Sequence, residues 1–106
     1  MKTKTVILRE KASQDVDQII EYYLNEVSAD VAEGFINDLE RGARYIGRNP
    51  KTGSSRYSVE LSWPDLLSWP LKKYPYMLFY LDKESQIEVI RVLHAERDLP
   101  YWLREG

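Results

Sequence analysis

Apolar residues are spaced as in helices through the first half of this chain and as in strands through the second. This change limits the possible folds more than any other feature. One apolar stripe covers residues 16–27 and another residues 32–46, each with spacings of three and four. Ser13 and Ser28 are suitable N-caps, and Asn49-Pro50 ends the second helix. Because few residues separate the two helices, we expect them to form an antiparallel hairpin.

The remaining apolar runs are typical of strands. A short β-branched run at residues 5–9 precedes the helices, and runs rich in Tyr, Val, Ile, Leu and Phe follow at residues 56–61, 66–71, 76–81 and 86–93. Short connections between the later runs require antiparallel neighbours. The sequence therefore predicts an α+β fold in a single domain over residues 1–106. Its elements are an N-terminal strand, the helical hairpin and an antiparallel β-meander, with the helices packed on one sheet face.

Both faces of the predicted sheet are apolar. Side chains alternate along a strand, which places Tyr76, Leu78 and Tyr80 on one face and Met77, Phe79 and Leu81 on the other. The same alternation groups Val89 with Arg91, and Val92 with His94. A single helical hairpin can cover only one face. We expect the C-terminal tail or a partner chain to cover the second face, and we favour a partner chain.

Composition argues against several kinds of site. The chain has no cysteine and one histidine, so we expect no metal and no cofactor. Its formal net charge is −2 without a basic half, which argues against sequence-specific nucleic-acid binding. We find no apolar run of membrane-spanning length and no signal-peptide pattern at the start. We therefore expect a cytoplasmic protein without membrane association.

Residues with functional chemistry cluster where the last strand ends. An apolar strand containing Arg91 runs into His94, Arg97 and Asp98, and an aromatic tail with Tyr101 and Trp102 follows. His94 has three interpretations: a strand-end side chain bonded to backbone or to Asp98, a partner contact, or a catalytic acid or base. Arg91 should pair with a carboxylate, such as Glu88 or one from a partner, because an unpaired buried charge is costly. Arg97 and Asp98 are placed to form a local salt bridge.

The second helix also carries a row of cations. Arg41, Arg44 and Arg48 point away from its apolar stripe. A solvated face is the simpler interpretation, and a basic ridge for an acidic partner is the functional one.

The order of these elements resembles the RelE/ParE superfamily of bacterial toxins, and most closely its ParE, or plasmid-stabilisation, branch. The resemblance spans nearly the whole chain. The residues that carry it are Ala12, Asp15, Ile19-Ile20, Tyr22-Tyr23, Phe35, Leu39, residues 46–50, Gly53-Ser54, Arg56-Tyr57, residues 67–70, Tyr74-Pro75-Tyr76, Phe79-Tyr80, residues 90–94 and Arg97-Asp98.

This resemblance implies the toxin of a type II toxin–antitoxin pair. Its partner would be a ParD-like antitoxin of the ribbon-helix-helix type, with a flexible C-terminal segment that wraps the toxin in a hetero-oligomer. ParE-type toxins are described as inhibitors of DNA gyrase and not as enzymes. The alternatives are a RelE-like ribosome-dependent mRNA endoribonuclease and an inactive homologue that only binds antitoxin.

Two sets of site residues follow from these alternatives. A ribonuclease would use His94, Arg91, Arg56 and Arg97, but Arg91 and His94 should project to opposite strand faces unless a bulge intervenes. An antitoxin- or target-binding surface would use Tyr76, Tyr80, Arg91, His94, Arg97, Asp98, Tyr101 and Trp102. We favour the second set because no convincing second catalytic group accompanies His94.

Overall fold

The computed structural model describes residues 3–105. The elements are β1 (Thr5–Leu8), α1 (Glu10–Glu26), α2 (Ala29–Arg48), α3 (Arg56–Glu60), β2 (Leu66–Pro70), β3 (Tyr76–Asp82), β4 (Gln86–His94) and α4 (Leu99–Glu105). The strands form one sheet in the order β1-β4-β3-β2, with β1 parallel to β4 and the other pairs antiparallel. The predicted α+β fold of strand, two helices and meander is confirmed.

The two long helices pack together because each has one apolar stripe. Phe35 and Ile46 of α2 are fully buried, and Ile19 of α1 packs in the same core against the sheet. The hydroxyl of Ser28 accepts the N–H of Val31 at 3.2 Å, so Ser28 caps α2 as predicted. Helix α1 begins at Glu10, earlier than the Ser13 cap predicts, because β1 leads directly into it through the extended Arg9.

A buried carboxylate fixes the β2–β3 hairpin beside α2. Asp38 is only 1% exposed, and its Oδ2 accepts the backbone N–H groups of Lys73 and Tyr74, each at 2.9 Å. Its Oδ1 accepts from Arg41 at 3.2 Å. A Cβ at Gly42 would lie 2.9 Å from Leu71 Cδ2, so the absence of a side chain there lets α2 approach the hairpin closely.

The strand predicted at residues 56–61 is wrong, since this segment forms the short helix α3. Tyr57 and Leu61 are buried and lie four residues apart, whereas Val59 between them is 83% exposed. Alternation along a strand would have placed all three side chains on one face. A helical turn buries only the first and last, so the same apolar residues fit both patterns.

The chain covers the second sheet face with its own helices, so the expected need for a partner chain there is wrong. Phe79, Ile90 and Leu93 on that face form a core with α3 and α4, to which Trp102 and Leu103 contribute. Residues 99–105 form a helix that lays its apolar side on the sheet. The C-terminal tail, which was the other candidate, therefore covers much of the second sheet face.

A β-bulge changes the predicted faces of β4. Phe79 pairs with Arg91, but the next residue, Tyr80, pairs with Val89, which leaves Ile90 as the extra residue. Val89 and Val92 consequently both belong to the core under α1 and α2, although alternation had separated them. The bulge precedes Arg91, so it does not bring Arg91 and His94 to a common face.

In the part of the chain that the structure describes, none of the helices combines the length and the hydropathy that crossing a bilayer requires.

Candidate functional site

The candidate site is the C-terminal corner, which we define as β4 from Ile90 to His94, the turn that follows it and the facing side of α1. Strand β1 pairs only with Gln86–Val89 of β4, so among residues 3–105 the remaining edge of β4 lacks a neighbouring strand. Two carboxylates occupy this edge instead. Asp15 accepts the N–H of Val92 at 3.0 Å, and Asp98 accepts the N–H of His94 at 2.9 Å. Both backbone donors are therefore satisfied within the chain.

Arg91 forms the strongest charged contact of this corner. Its Nε and Nη2 donate to the two carboxylate oxygens of Asp15, at 2.8 and 3.0 Å. Hydrogen bonding to Asp15 raises the pKa of Arg91, against the opposing effect of burial. The pairing with Glu88 that the sequence suggested does not form, because Glu88 accepts from Arg9 at 2.6 Å. Glu88 thus belongs to the β1–β4 edge, and α1 supplies the partner of Arg91.

His94 is bonded to the backbone of the turn that follows it. Its Nδ1 accepts the N–H groups of Glu96 and Arg97, each at 3.1 Å. This places the proton of the neutral ring on Nε2. Burial, helped by the charge of Arg97, lowers the pKa of His94, while Asp98 and Glu96 oppose that shift. The neutral side chain therefore acts as a cap for the turn, which is the structural interpretation of His94.

Arg97 connects the turn to the aromatic residues beneath it. Its Nη2 donates to the hydroxyl of Tyr76 at 3.3 Å, and its guanidinium lies 5.6 Å from the centre of the Tyr22 ring. No salt bridge joins Arg97 to Asp98 within residues 3–105. Tyr76 is buried at 2% exposure, and burial is the main cause of its raised phenol pKa. Arg97 is consequently held by rings and a hydroxyl, with Tyr22 at 45% exposure beside it.

Two predicted site residues lie away from the corner. Tyr80 is fully buried, and its hydroxyl donates to the carbonyl of Pro50 at 2.8 Å and accepts from Gly53 N–H at 3.0 Å. It has no exposed surface to offer a partner, so the structure places it in the core. Arg56 lies on α3, which packs against β2 at the far side of the sheet from β4. The structure does not bring it to His94.

The two aromatic residues of the tail differ in their surroundings. The Trp102 ring packs edge-to-face on Phe79 with centroids 4.7 Å apart, and the Arg91 guanidinium lies 6.0 Å from its centre. Tyr101, which directly precedes Trp102 in α4, is 62% exposed. Trp102 therefore belongs to the second core, whereas Tyr101 presents a ring to solvent.

Several groups of the corner that RNA cleavage could use have partners within the chain. Attack by a 2′-hydroxyl requires a base, an acid and cations free to bind the phosphorane. His94 Nδ1, the Asp15 carboxylate and the Arg91 guanidinium are all engaged within the chain. No cluster of three His, Cys, Asp or Glu residues within the described range could hold a metal ion.

The sequence identified Asp15 only through the family resemblance and did not single out Asp38. Both acids lie within helices, and nothing in the sequence around them distinguishes them from solvent-exposed acids. Their roles depend on backbone N–H groups that come from β4 and from the β2–β3 hairpin. The signal that identifies them is therefore tertiary, although the resemblance does include Asp15.

Comparison with known proteins gives the family. The sequence model of one protein family, described as the ParE toxin of type II toxin–antitoxin system, parDE, matches residues 6–99 of this chain. The chain belongs to the ParE toxin family. Among solved structures, one described as the chromosomal ParDE toxin–antitoxin system from P. aeruginosa is similar, with a TM-score of 0.73 and 19% sequence identity. That match covers 89% of this chain and 98% of the other. No curated protein matches the sequence.

For this ParE-family chain, the match extends from β1 to the first residue of α4. It therefore includes the hairpin, the sheet and the whole turn from His94 to Asp98. Most of α4, with Tyr101 and Trp102, lies beyond the matched residues. The chain is a ParE-family toxin of a type II toxin–antitoxin system, and its tail is the part to which the family match says least.

Proposed function

We propose that this toxin inhibits DNA gyrase by binding it and that a ParD-like antitoxin of the ribbon-helix-helix type neutralises it in the cytoplasm. Membership of the ParE family supports a toxin of this kind. The observation that carries the non-enzymatic part is the state of His94, whose Nδ1 accepts two backbone N–H groups. The Nδ1 lone pair that a general base would use is thereby occupied, which supports a turn cap over a catalytic acid or base.

The corner offers a surface that a large partner can contact. Tyr22 and Tyr101 are exposed on its two sides, and Arg97 and Asp98 lie between α1 and α4. Exposed tyrosines and arginines are favoured anchors of protein interfaces. We propose Arg97, Asp98 and Tyr101 as the residues that contact the partner. The side chains that hold them in place are Arg91, His94, Tyr76 and Trp102.

The test is whether purified toxin makes gyrase accumulate cleaved plasmid. Plasmid, gyrase and toxin are incubated with ATP, gyrase is removed by protease, and linear DNA is scored with and without antitoxin. The proposal expects linear DNA or loss of supercoiling, reversed by the antitoxin. A parallel incubation in a translating extract scores cut mRNA. Cut mRNA with normal gyrase activity would instead support the RelE-like ribonuclease, and neither effect would support an inactive homologue.

A further inference from the structure

Positive and negative charges are separated along the chain. Residues 10–33 carry seven acids and one cation, Lys11, whereas residues 41–56 carry five cations and no acid. These five cations are Arg41, Arg44, Arg48, Lys51 and Arg56. Since the whole chain has a net charge of −2, the basic stretch is a local feature and not a reflection of composition.

The fold gathers three cations at one end of the sheet. Lys4 directly precedes β1, Arg48 ends α2, and Lys51 lies in the 3₁₀ turn Pro50–Thr52; we call this set the basic end. A hollow of about 480 Å³ lies among the three side chains. The N–H of Lys4 donates to the carbonyl of Gly47 at 2.9 Å, and a Cβ at Gly47 would lie 2.9 Å from the Lys4 carbonyl oxygen. The missing side chain at Gly47 therefore lets Lys4 lie close to the end of α2.

A buried tyrosine fixes the turn that carries Lys51. The fully buried Tyr80 donates its hydroxyl proton to the carbonyl of Pro50 and accepts the N–H of Gly53. Within the turn, the N–H of Thr52 donates to the carbonyl of Asn49 at 3.0 Å. The backbone under Lys51 is thus held by the core on both sides. A partner that binds here does not have to order this loop first.

Most of this positive charge is not neutralised by the molecule. Arg48 and Lys51 are exposed and form no ion pair within residues 3–105, and the same holds for Arg44 one turn earlier on α2. Lys4 binds Asp82 at 2.6 Å, and Asp82 is the one acid among the residues that line the hollow. A cation in the last turn of a helix stabilises the helix dipole. That effect accounts for Arg48, but it does not account for Arg44 or Lys51.

The basic end and the C-terminal corner lie at opposite ends of the sheet. Lys4 contacts Asp82 at the end of β3, next to Gln86, where β4 begins. The corner lies where β4 ends, at His94. At about 3.3 Å per residue, the nine residues of β4 span about 26 Å. A toxin that contacts gyrase through the corner therefore leaves its basic end free for a second contact.

We propose that the basic end binds the sugar–phosphate backbone of duplex DNA, without reading its sequence, while the corner contacts gyrase. The inference rests on the proposed function in that gyrase brings the DNA to the toxin, and it adds a second contact surface and its chemistry. The side chains of Arg48 and Lys51 donate charge-assisted hydrogen bonds to phosphate oxygens. The affinity for free DNA is low because few cations take part, and gyrase raises the local concentration of the duplex.

Duplex DNA fits the basic end better than an acidic protein does. Protein interfaces are anchored by aromatic and large apolar side chains at their centre. Among the described residues that line the hollow, Pro50 is the only apolar one, and the others are charged or carry an amide or a hydroxyl. Contacts to phosphate need exposed donors and no apolar anchor. An acidic protein is therefore the alternative that the test has to distinguish.

The first test measures binding to DNA without gyrase. Fluorescence anisotropy at ~50 mM salt follows two labelled duplexes of unrelated sequence, each of about 30 base pairs, as toxin is added. We expect weak binding that is equal for the two sequences within ~2-fold. Arg48→Glu and Lys51→Glu should each weaken it by ~5-fold or more, and Lys11→Glu, the same charge change on the acidic α1, by less than ~2-fold. Lys51 lies outside the long helices, so its variant keeps the fold, as checked by circular dichroism.

Salt dependence identifies the contact as one to phosphate. Lys51→Gln removes one charge and should reduce the slope of log affinity against log salt by about one. A toxin that binds neither duplex would overturn the inference, and so would variants at Arg48 and Lys51 that bind as the wild type does. Binding to a glutamate-rich peptide without binding to either duplex would also overturn it and would identify an acidic protein as the partner.

A second test asks whether the contact forms on gyrase. Affinity of the toxin for gyrase is measured with and without the duplex, and DNA should raise it by ~3-fold or more for the wild type and for Lys11→Glu. Lys51→Glu should bind gyrase alone as the wild type does but lose this gain. An equal gain in Lys51→Glu would overturn the inference. A wild-type toxin that binds DNA through Arg48 and Lys51 but does not bind gyrase would support the DNA contact and refute only the proposed target.

Discussion

Asp15 of α1 binds Arg91 of β4 through both carboxylate oxygens, at 2.8 and 3.0 Å. The same carboxylate accepts the N–H of Val92 at 3.0 Å, where no other strand of the described chain pairs with β4. One acid thus neutralises a partly buried cation and satisfies a strand-edge donor. This contact explains why an arginine is tolerated inside an apolar strand and why it is not free to hold a phosphate.

Removing Asp15 should destabilise the protein more than removing a neighbouring acid. Asp15→Ala leaves Arg91 and the Val92 N–H without partners, and we expect the free energy of unfolding to fall by about 2–3 kcal/mol. Urea denaturation measures this. Asp17→Ala removes an exposed acid two positions along the same helix and should change the value by less than ~0.5 kcal/mol. Equal effects from the two substitutions would show that the Asp15–Arg91 contact contributes little.

His94 should titrate below the ordinary histidine value of about 6.5. Because the folded state lowers this pKa, the fold prefers the neutral ring. The associated stability is present above the unfolded pKa and is lost as pH falls through the folded pKa. The single histidine gives one imidazole resonance, so an NMR titration reads its pKa directly. A value at or above 6.5 would contradict the hydrogen-bonding role assigned to Nδ1.

Asparagine in place of His94 should preserve toxicity. Its side-chain oxygen can accept the N–H groups of the turn, as Nδ1 does now, but it cannot transfer a proton at neutral pH. We expect His94→Asn to inhibit gyrase within about threefold of the wild type. His94→Ala should also inhibit, although less because the turn loses its cap. If a stably folded His94→Asn protein loses more than ~100-fold of its toxicity, the histidine has a catalytic role after all.

Substitutions at two adjacent residues of α4 should affect different properties, one the stability of the fold and the other the binding of gyrase. Trp102→Ala removes a ring that packs on the fully buried Phe79, and we expect it to lower the free energy of unfolding by about 2–4 kcal/mol. Tyr101→Ala removes an exposed ring, so stability should change by less than ~0.5 kcal/mol while gyrase inhibition weakens. Thermal unfolding and the gyrase assay together measure both. Unchanged inhibition by Tyr101→Ala would remove the tail from the contact surface.

The fold could be predicted where one periodicity was clear. The stripes of α1 and α2 and the runs of β2 to β4 had no competing pattern, and their bounds agree with the structure closely. Residues 57 and 61 suit a strand or a helical turn equally, and only the exposure of Val59 distinguishes them. The bulge at Ile90 is likewise a property of pairing between β3 and β4. Alternation within one strand cannot reveal it.

The candidate site was predictable in position but not in its contacts. The His94–Asp98 cluster stands out in the sequence because charged residues follow an apolar strand. The partner of Arg91 cannot be recognised in the same way. Glu88 is near Arg91 in the sequence, whereas Asp15 comes near it only after α1 has packed on β4. The prediction that a partner chain covers the second sheet face was wrong for a related reason. The helical form of residues 99–105 depends on the apolar surface that it covers.

Titration of toxin against a fixed amount of gyrase in a supercoiling assay tests the central claim most directly, namely that this molecule acts by binding and not by cleavage. Inhibition should rise with toxin and level off near equimolar amounts, and added antitoxin should restore supercoiling. Full supercoiling at a large molar excess of folded toxin, together with cut mRNA in a translating extract, would contradict it.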